Sequence, residues 1–239
     1  MLARLAPMRC CLLLLTHALW PATPQYQIDH WTTGNGLPIG GVTGICQSQE
    51  GYLWLSTFDG LARFDGVRFT VFDRSNTAGI TSNRLVTMFC AVNGDFWIGT
   101  EGGTVIRRHE GSFQTFSTND GLPSGPVVGI SGDDHGNVWV LASGGIVRWQ
   151  PTQGNFMRFN DHENSYAAEL LTNDRRHGFF SIDSSGLHIF SAGRQTSFPF
   201  PERWRQTSAS IVVQESDGSI WVGSSAGRLV RWLNGRWLE

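Results

Sequence analysis

The sequence predicts an all-β fold, a β-propeller of four-stranded antiparallel blades, with about five blades forming part of a larger, open ring. Three observations carry that prediction. Tryptophan recurs at Trp54, Trp97, Trp139 and Trp221, at intervals of 43, 42 and 82 residues, the last being twice 41. Each of these tryptophans stands three residues after a turn glycine. The chain is also rich in glycine, 29 of 239 residues, with 15 Phe and 10 Trp, as expected of short strands joined by tight turns.

The elements follow in a fixed order within each repeat. An apolar strand comes first: Val42 to Cys46, Leu85 to Cys90, Val127 to Ile130 and Ile211 to Val213. A two-residue turn ends in glycine (Glu50-Gly51, Asn93-Gly94, His135-Gly136, Asp217-Gly218), which suits the positive φ of a tight hairpin. The second strand carries the marker tryptophan. A loop of small residues follows, such as Ser56 to Gly60 or Ser224 to Gly227. The third strand ends in Arg plus an aromatic: Arg63-Phe64, Arg148-Trp149 and Arg231-Trp232. Another turn (Asp65-Gly66, Glu110-Gly111, Asn234-Gly235) opens a fourth strand, which ends at Phe72, Phe116 or Phe159. The double interval implies a degenerate unit, with Phe180 in the tryptophan's place. The expected blades are about 40–73, 83–117, 125–160, 168–200 and 208–239.

The flanks of the repeat make further expectations. Arg4, Arg9 and the apolar run from Cys10 to Leu19 read as a signal peptide within residues 1–22, which implies a periplasmic or extracellular domain. Tyr26 to Thr32 aligns with the fourth-strand segment Phe113 to Thr118, because both lead into Gly-Leu-Pro. The last blade starts its own fourth strand at Trp237, so two segments compete for one slot. An open ring with further blades beyond Glu239 is therefore expected.

Composition and motifs exclude several chemistries. The net charge is −2, so no basic field points to nucleic acid. The chain has no lysine, which rules out a phosphate-binding loop with its lysine and a Schiff-base enzyme. No serine elbow is present, and no pair of carboxylates can be placed face to face across a channel. The seven histidines are scattered, so no metal site and no cofactor are expected. The acidic turns Asp133-Asp134 and Asn160 to Glu163 read as solvated loops. Cys46 and Cys90 lie in equivalent strands one position out of step, and are expected to be unbridged. The recurring arginines Arg63, Arg148 and Arg231 are expected to pair with acidic turn residues.

Ligand-binding candidates come from loops, where propellers present variable side chains. They are Asp59 and Glu101, in second-to-third-strand loops, and Trp204. Trp204 sits in the irregular Phe198 to Arg205 stretch, where an aromatic–arginine cluster could stack on a sugar or meet a partner. The competing reading is an inter-blade connection packed on itself.

The unit resembles the two-component regulator propeller repeat. The resemblance rests on Gly36-Leu37-Pro38 and Gly121-Leu122-Pro123, on Gln47 to Gly51 and Glu215 to Gly218 before the tryptophan, on Gly99-Thr100, and on Phe64-Asp65-Gly66. It covers residues 25–239 and is weakest in the fourth unit, where Arg175-Arg176-His177 replaces the acidic turn. It implies an exported sensory module, the N-terminal part of a two-component sensor, with no catalysis of its own. It further implies a small-molecule or oligosaccharide ligand, and downstream sensor domains or a partner protein. Membrane attachment would come only through regions outside this sequence or an uncleaved signal. The alternatives are a secreted glycan-active propeller enzyme, a hydrolase or lyase, and a pure protein-interaction propeller.

Overall fold

The computed structural model describes residues 28–132, 136–158, 170–174, 178–191, 194–204, 209–215 and 217–238. The signal segment 1–22, Tyr26, Phe159, and the acidic turns Asp133-Asp134 and Asn160 to Glu163 lie outside them.

Among the described residues, twenty strands form five sheets of four consecutive antiparallel strands each. Blade one holds β1 (Val42–Gln47), β2 (Leu53–Thr57), β3 (Gly60–Phe64) and β4 (Phe69–Phe72). Blade two holds β5 (Leu85–Cys90), β6 (Phe96–Thr100), β7 (Val105–His109) and β8 (Ser112–Phe116). Blade three holds β9 (Val127–Gly132), β10 (Val138–Ala142), β11 (Gly145–Gln150) and β12 (Asn155–Arg158). Blade four holds β13 (Leu170–Asp174), β14 (Gly178–Ile182), β15 (Gly186–Ser191) and β16 (Arg194–Pro199). Blade five holds β17 (Ala209–Gln214), β18 (Ile220–Ser224), β19 (Leu229–Leu233) and β20 (Arg236–Leu238). Helix among the described residues is limited to three 3-10 turns of three residues each. The innermost strands β1, β5, β9, β13 and β17 neighbour one another in that order. This is a propeller arrangement.

The marker residues explain how blades stack. Trp54, Trp97, Trp139 and Trp221 all lie on second strands, directly opposite Arg63, Arg107, Arg148 and Arg231 on third strands. Phe180, on β14, fills the same slot in blade four and is buried. The tryptophan rows of blades one and two face the next blade. Trp54 meets Phe96 edge-on at 5.3 Å, and Trp97 meets Trp149 at 5.1 Å. The buried apolar side chains accordingly gather in clusters at the seams between blades one and two, two and three, and four and five. Burying one such ring is worth about 1.5–3 kcal/mol.

The same stacking corrects the cysteine expectation. Cys46 and Cys90 form a disulfide, with Cα atoms 6.2 Å apart. Cys46 pairs across its sheet with Trp54 and shares that residue's face, toward blade two. Cys90 pairs with Phe96, whose face looks back at blade one. Facing surfaces of stacked blades have opposite parity, so a one-residue offset makes the two thiols converge. The offset excludes a bridge only within one sheet.

The N-terminal segment is also corrected. Among the described residues, 28–32 form no strand, and β20 fills the fourth-strand position of blade five by pairing with β19. The alignment with blade two's exit is nonetheless sound. A 3-10 turn at Thr33–Asn35, capped by Thr32 and closed by Gly36, repeats the one at Thr118–Asp120, capped by Ser117 and closed by Gly121. Trp31 lies 4.5 Å from Phe64 and 5.9 Å from Phe69. Phe116 holds the same relation to Trp149 and Phe156 in blade three, at 4.9 and 5.7 Å. Gly121 has φ of +91°, and a Cβ there would strike the Phe156 carbonyl. Gly79 does the same to Phe113, which reveals a third copy of this turn, Gly79-Ile80, with Ile80 buried like Leu37 and Leu122.

Candidate functional site

In a four-stranded meander the second-to-third-strand turns and the inter-blade connectors share one end of the blades. At the seam between blades one and two that end brings together two of the three residues picked out in the sequence. Asp59 is on the β2–β3 turn and Glu101 on the β6–β7 turn. Between them runs the connector, Asn83-Arg84. The Asn83 carbonyl accepts from Gly60 N–H at 2.8 Å, and the Arg84 carbonyl accepts from Glu101 N–H at 3.0 Å. Backbone bonds therefore fix both turns against one dipeptide.

The side chains form a continuous rim. Asn83 Nδ2 donates to Asp59 Oδ1 at 3.3 Å, and Asn83 Oδ1 accepts from Arg74 N–H at 3.0 Å. Arg84 grips Glu101 with two donors: Nε to Oε2, and Nη2 to Oε1 at 3.1 Å. Its guanidinium also covers the half-exposed Phe58 ring, 5.1 Å from the centroid. The hydrogen bond from Arg84 lowers the Glu101 pKa, and that same bond raises the Arg84 pKa. Both side chains are about half exposed, so water and salt screen the pair. The result is an exposed ring beside fixed donors and acceptors, a surface suited to a polyhydroxylated ligand. Sequence reasoning missed Phe58, Asn83 and Arg84. Asn83 and Arg84 carry none of the repeat's marker residues, and only their position next to Asp59 and Glu101 gives them meaning.

Trp204 takes no part in such a surface. It is buried and stacks on Phe200 with centroids 5.3 Å apart, so the Phe198 to Trp204 stretch packs on itself. Its ring is closed to a sugar or a partner.

The recurring arginines hold structure in more than one way. Arg231 pairs with Asp217 at 2.5 Å, as expected of an acidic turn. Arg63 instead lies over the Tyr52 ring at 4.6 Å. Arg107, in the same slot of blade two, is bound by the buried Asp95 through Nε at 2.8 Å and Nη2 at 2.5 Å.

Blade four contains a Ser–His–Asp chain. His188 Nδ1 is 2.9 Å from Ser197 Oγ, and Nε2 is 3.0 Å from Asp183 Oδ2. His188 occupies a slot filled by Ala62, Ile106, Val147 and Val230 in the other blades. The hydrogen bonds make a buried imidazole tolerable in an otherwise apolar position. No group of three or more His, Cys, Asp or Glu residues able to hold a metal converges among the described residues.

Comparison with known proteins places this fold. Residues 36–59 match the model of the family described as "two component regulator propeller". The extracellular domain of a hybrid two component system from B. thetaiotaomicron superposes with TM-score 0.73 at 24% identity, covering 90% of this chain and 32% of that one. The extracellular domain of a one component system from the same organism gives 0.70 at 20% identity, covering 85% and 30%. Virginiamycin B lyase from Staphylococcus aureus gives 0.62 at 14% identity, covering 80% and 69%. The chain thus spans about a third of the length of the two sensor domains. No curated protein matches it significantly. At these identities the superpositions establish the propeller fold.

Proposed function

Because the chain carries a repeat of the two component regulator propeller family, we propose that it is an exported sensory module, the N-terminal part of a two-component sensor. Its ligand is a small molecule or oligosaccharide, held at the rim formed by Phe58, Asp59, Asn83, Arg84 and Glu101. The observation that carries this reading is the Asn83-Arg84 connector, which locks two loop carboxylates beside an exposed ring. Downstream sensor domains, or a partner protein, would convert occupancy into a signal.

Export is supported by two features. The Cys46–Cys90 disulfide suits an oxidising compartment. The sensor structures of like fold are extracellular domains.

The second reading, a glycan-active hydrolase or lyase, is favoured by the lyase of similar fold. One experiment separates the two. The purified chain is screened on an oligosaccharide array, and the bound ligand is then recovered by chromatography. The sensor reading expects saturable binding with the ligand recovered intact. Recovery of cleaved product would overturn it in favour of the enzyme.

A further inference from the structure

The opposite end of the same seam holds a pocket of about 430 Å³, within the size range of small-molecule sites. Blade one contributes Gln49 and Glu50 from its β1–β2 turn. Blade two contributes the Asn93-Gly94-Asp95 turn, and Arg108 to Gly111 around its β7–β8 turn. The walls are held in place. Gln49 Nε2 donates across the seam to the Val92 carbonyl at 3.3 Å. The Cys46–Cys90 disulfide ties the two innermost strands.

Two charged groups in this pocket differ in one respect. Asp95, buried, has its carboxylate filled: Arg107, Asn93 Nδ2 at 3.1 Å and His109 Nδ1 at 2.6 Å all reach it. Arg108 is half-buried, with its guanidinium 4.8 Å from the Trp54 ring centre and 5.3 Å from that of Phe96. It makes no hydrogen bond to an acceptor among the described residues, although the Glu50 carboxylate of the same pocket lies near enough to feel its charge. A guanidinium carries five N–H donors in a planar fork that matches a carboxylate. A guanidinium with no hydrogen-bonded acceptor, among the residues that line a cavity, can receive one carboxylate.

The rest of the lining narrows the ligand. Glu50 and Glu110 oppose a dense anion, because like charges brought together are costly. The same carboxylates, with the Asn93 and Gln49 amides, accept and donate to hydroxyl groups. We propose that this pocket binds a small hydroxylated monocarboxylate, a sugar acid, with its carboxylate on Arg108 and its hydroxyls on Glu50, Glu110 and Asn93. The site is separate from the rim and does not depend on it.

The test is calorimetric titration of the full chain with D-glucuronate, with D-glucose as the neutral probe and glucose 6-phosphate as the dianion. Glucuronate is expected to bind at least about tenfold more tightly than either control, the scale of one charge-assisted bidentate contact. Arg108→Gln is expected to remove that preference, and Arg108→Lys, which keeps charge and stem but loses the fork, to weaken binding about tenfold. If Arg108→Gln does not fold, judged by its thermal melt, Arg108→Lys decides the matter. Equal affinity for glucuronate and glucose, or undiminished binding by Arg108→Lys, would overturn the proposal.

Discussion

Blade two has a neighbour on each face, whereas blades one and five each present one face to solvent, and the same repeat position behaves differently in the two settings. Phe116, at the exit of blade two, is 1% exposed; Trp31, its counterpart before blade one, is 39% exposed. Phe96 is 1% exposed where Leu53, in the equivalent slot of blade one, is 37%. At the far end Ile211, Val213 and Leu229 of blade five are exposed on the face that carries Trp221. The repeat encodes each blade's turns and one half of every seam. The neighbour supplies the other half.

That contrast can be broken by substitution. Phe116→Ala is expected to cost about 3–5 kcal/mol, as for a buried ring, and Trp31→Ala about 1 kcal/mol. Urea melts of both variants check it, and equal losses would contradict it. The arginine slot gives a second pair. Asp95→Ala leaves Arg107 without its buried counter-charge and is expected to cost about 3–5 kcal/mol. Asp217→Ala removes an exposed partner of Arg231 and should cost less than about 1 kcal/mol.

Reduction sharpens the comparison at one seam. Breaking the Cys46–Cys90 bridge, whose ends are 44 residues apart, is expected to cost about 2–4 kcal/mol, read as a lower denaturation midpoint in reducing agent. The open faces make a further prediction. Exposed apolar sheet faces favour association, so sedimentation should show concentration-dependent self-association, reduced by Ile45→Glu or Val213→Glu.

A smaller effect concerns acid. Burial pushes the Asp183 carboxyl up, but hydrogen bonds from His188 and Ser185 outweigh that and hold it well below the usual carboxylate range. A carboxylate with a depressed folded pKa contributes stability above its unfolded pKa and loses it as pH falls toward the folded value. Thermal melts should therefore fall below about pH 4, and Asp183→Asn should flatten that acid limb.

Much of the fold was legible because the repeat is periodic. Spacing alone placed Phe180 in the tryptophan slot, and Gly-Leu-Pro located the turns at Gly36 and Gly121. The third copy escaped because Gly79-Ile80-Thr81 lacks the proline, and only the close approach of Gly79 to Phe113 exposes it. The cysteine bridge was not legible because strand parity governs contacts within one sheet, whereas Cys46 and Cys90 meet across two. Trp204 could not be told from an exposed ring, since burial by Phe200 depends on the connector's path. Asp59 and Glu101 were legible as loop residues, but their shared partner, Asn83-Arg84, carries none of the repeat's marker residues.

The most direct test of the sensory reading is equilibrium binding of the tightest oligosaccharide from the array to the wild type and to Arg84→Ala, followed by tryptophan fluorescence. The rim account predicts affinity at least about tenfold weaker in the variant, the scale of a lost charge-assisted hydrogen bond, with its thermal melt unchanged. Equal affinity in the two proteins would contradict it.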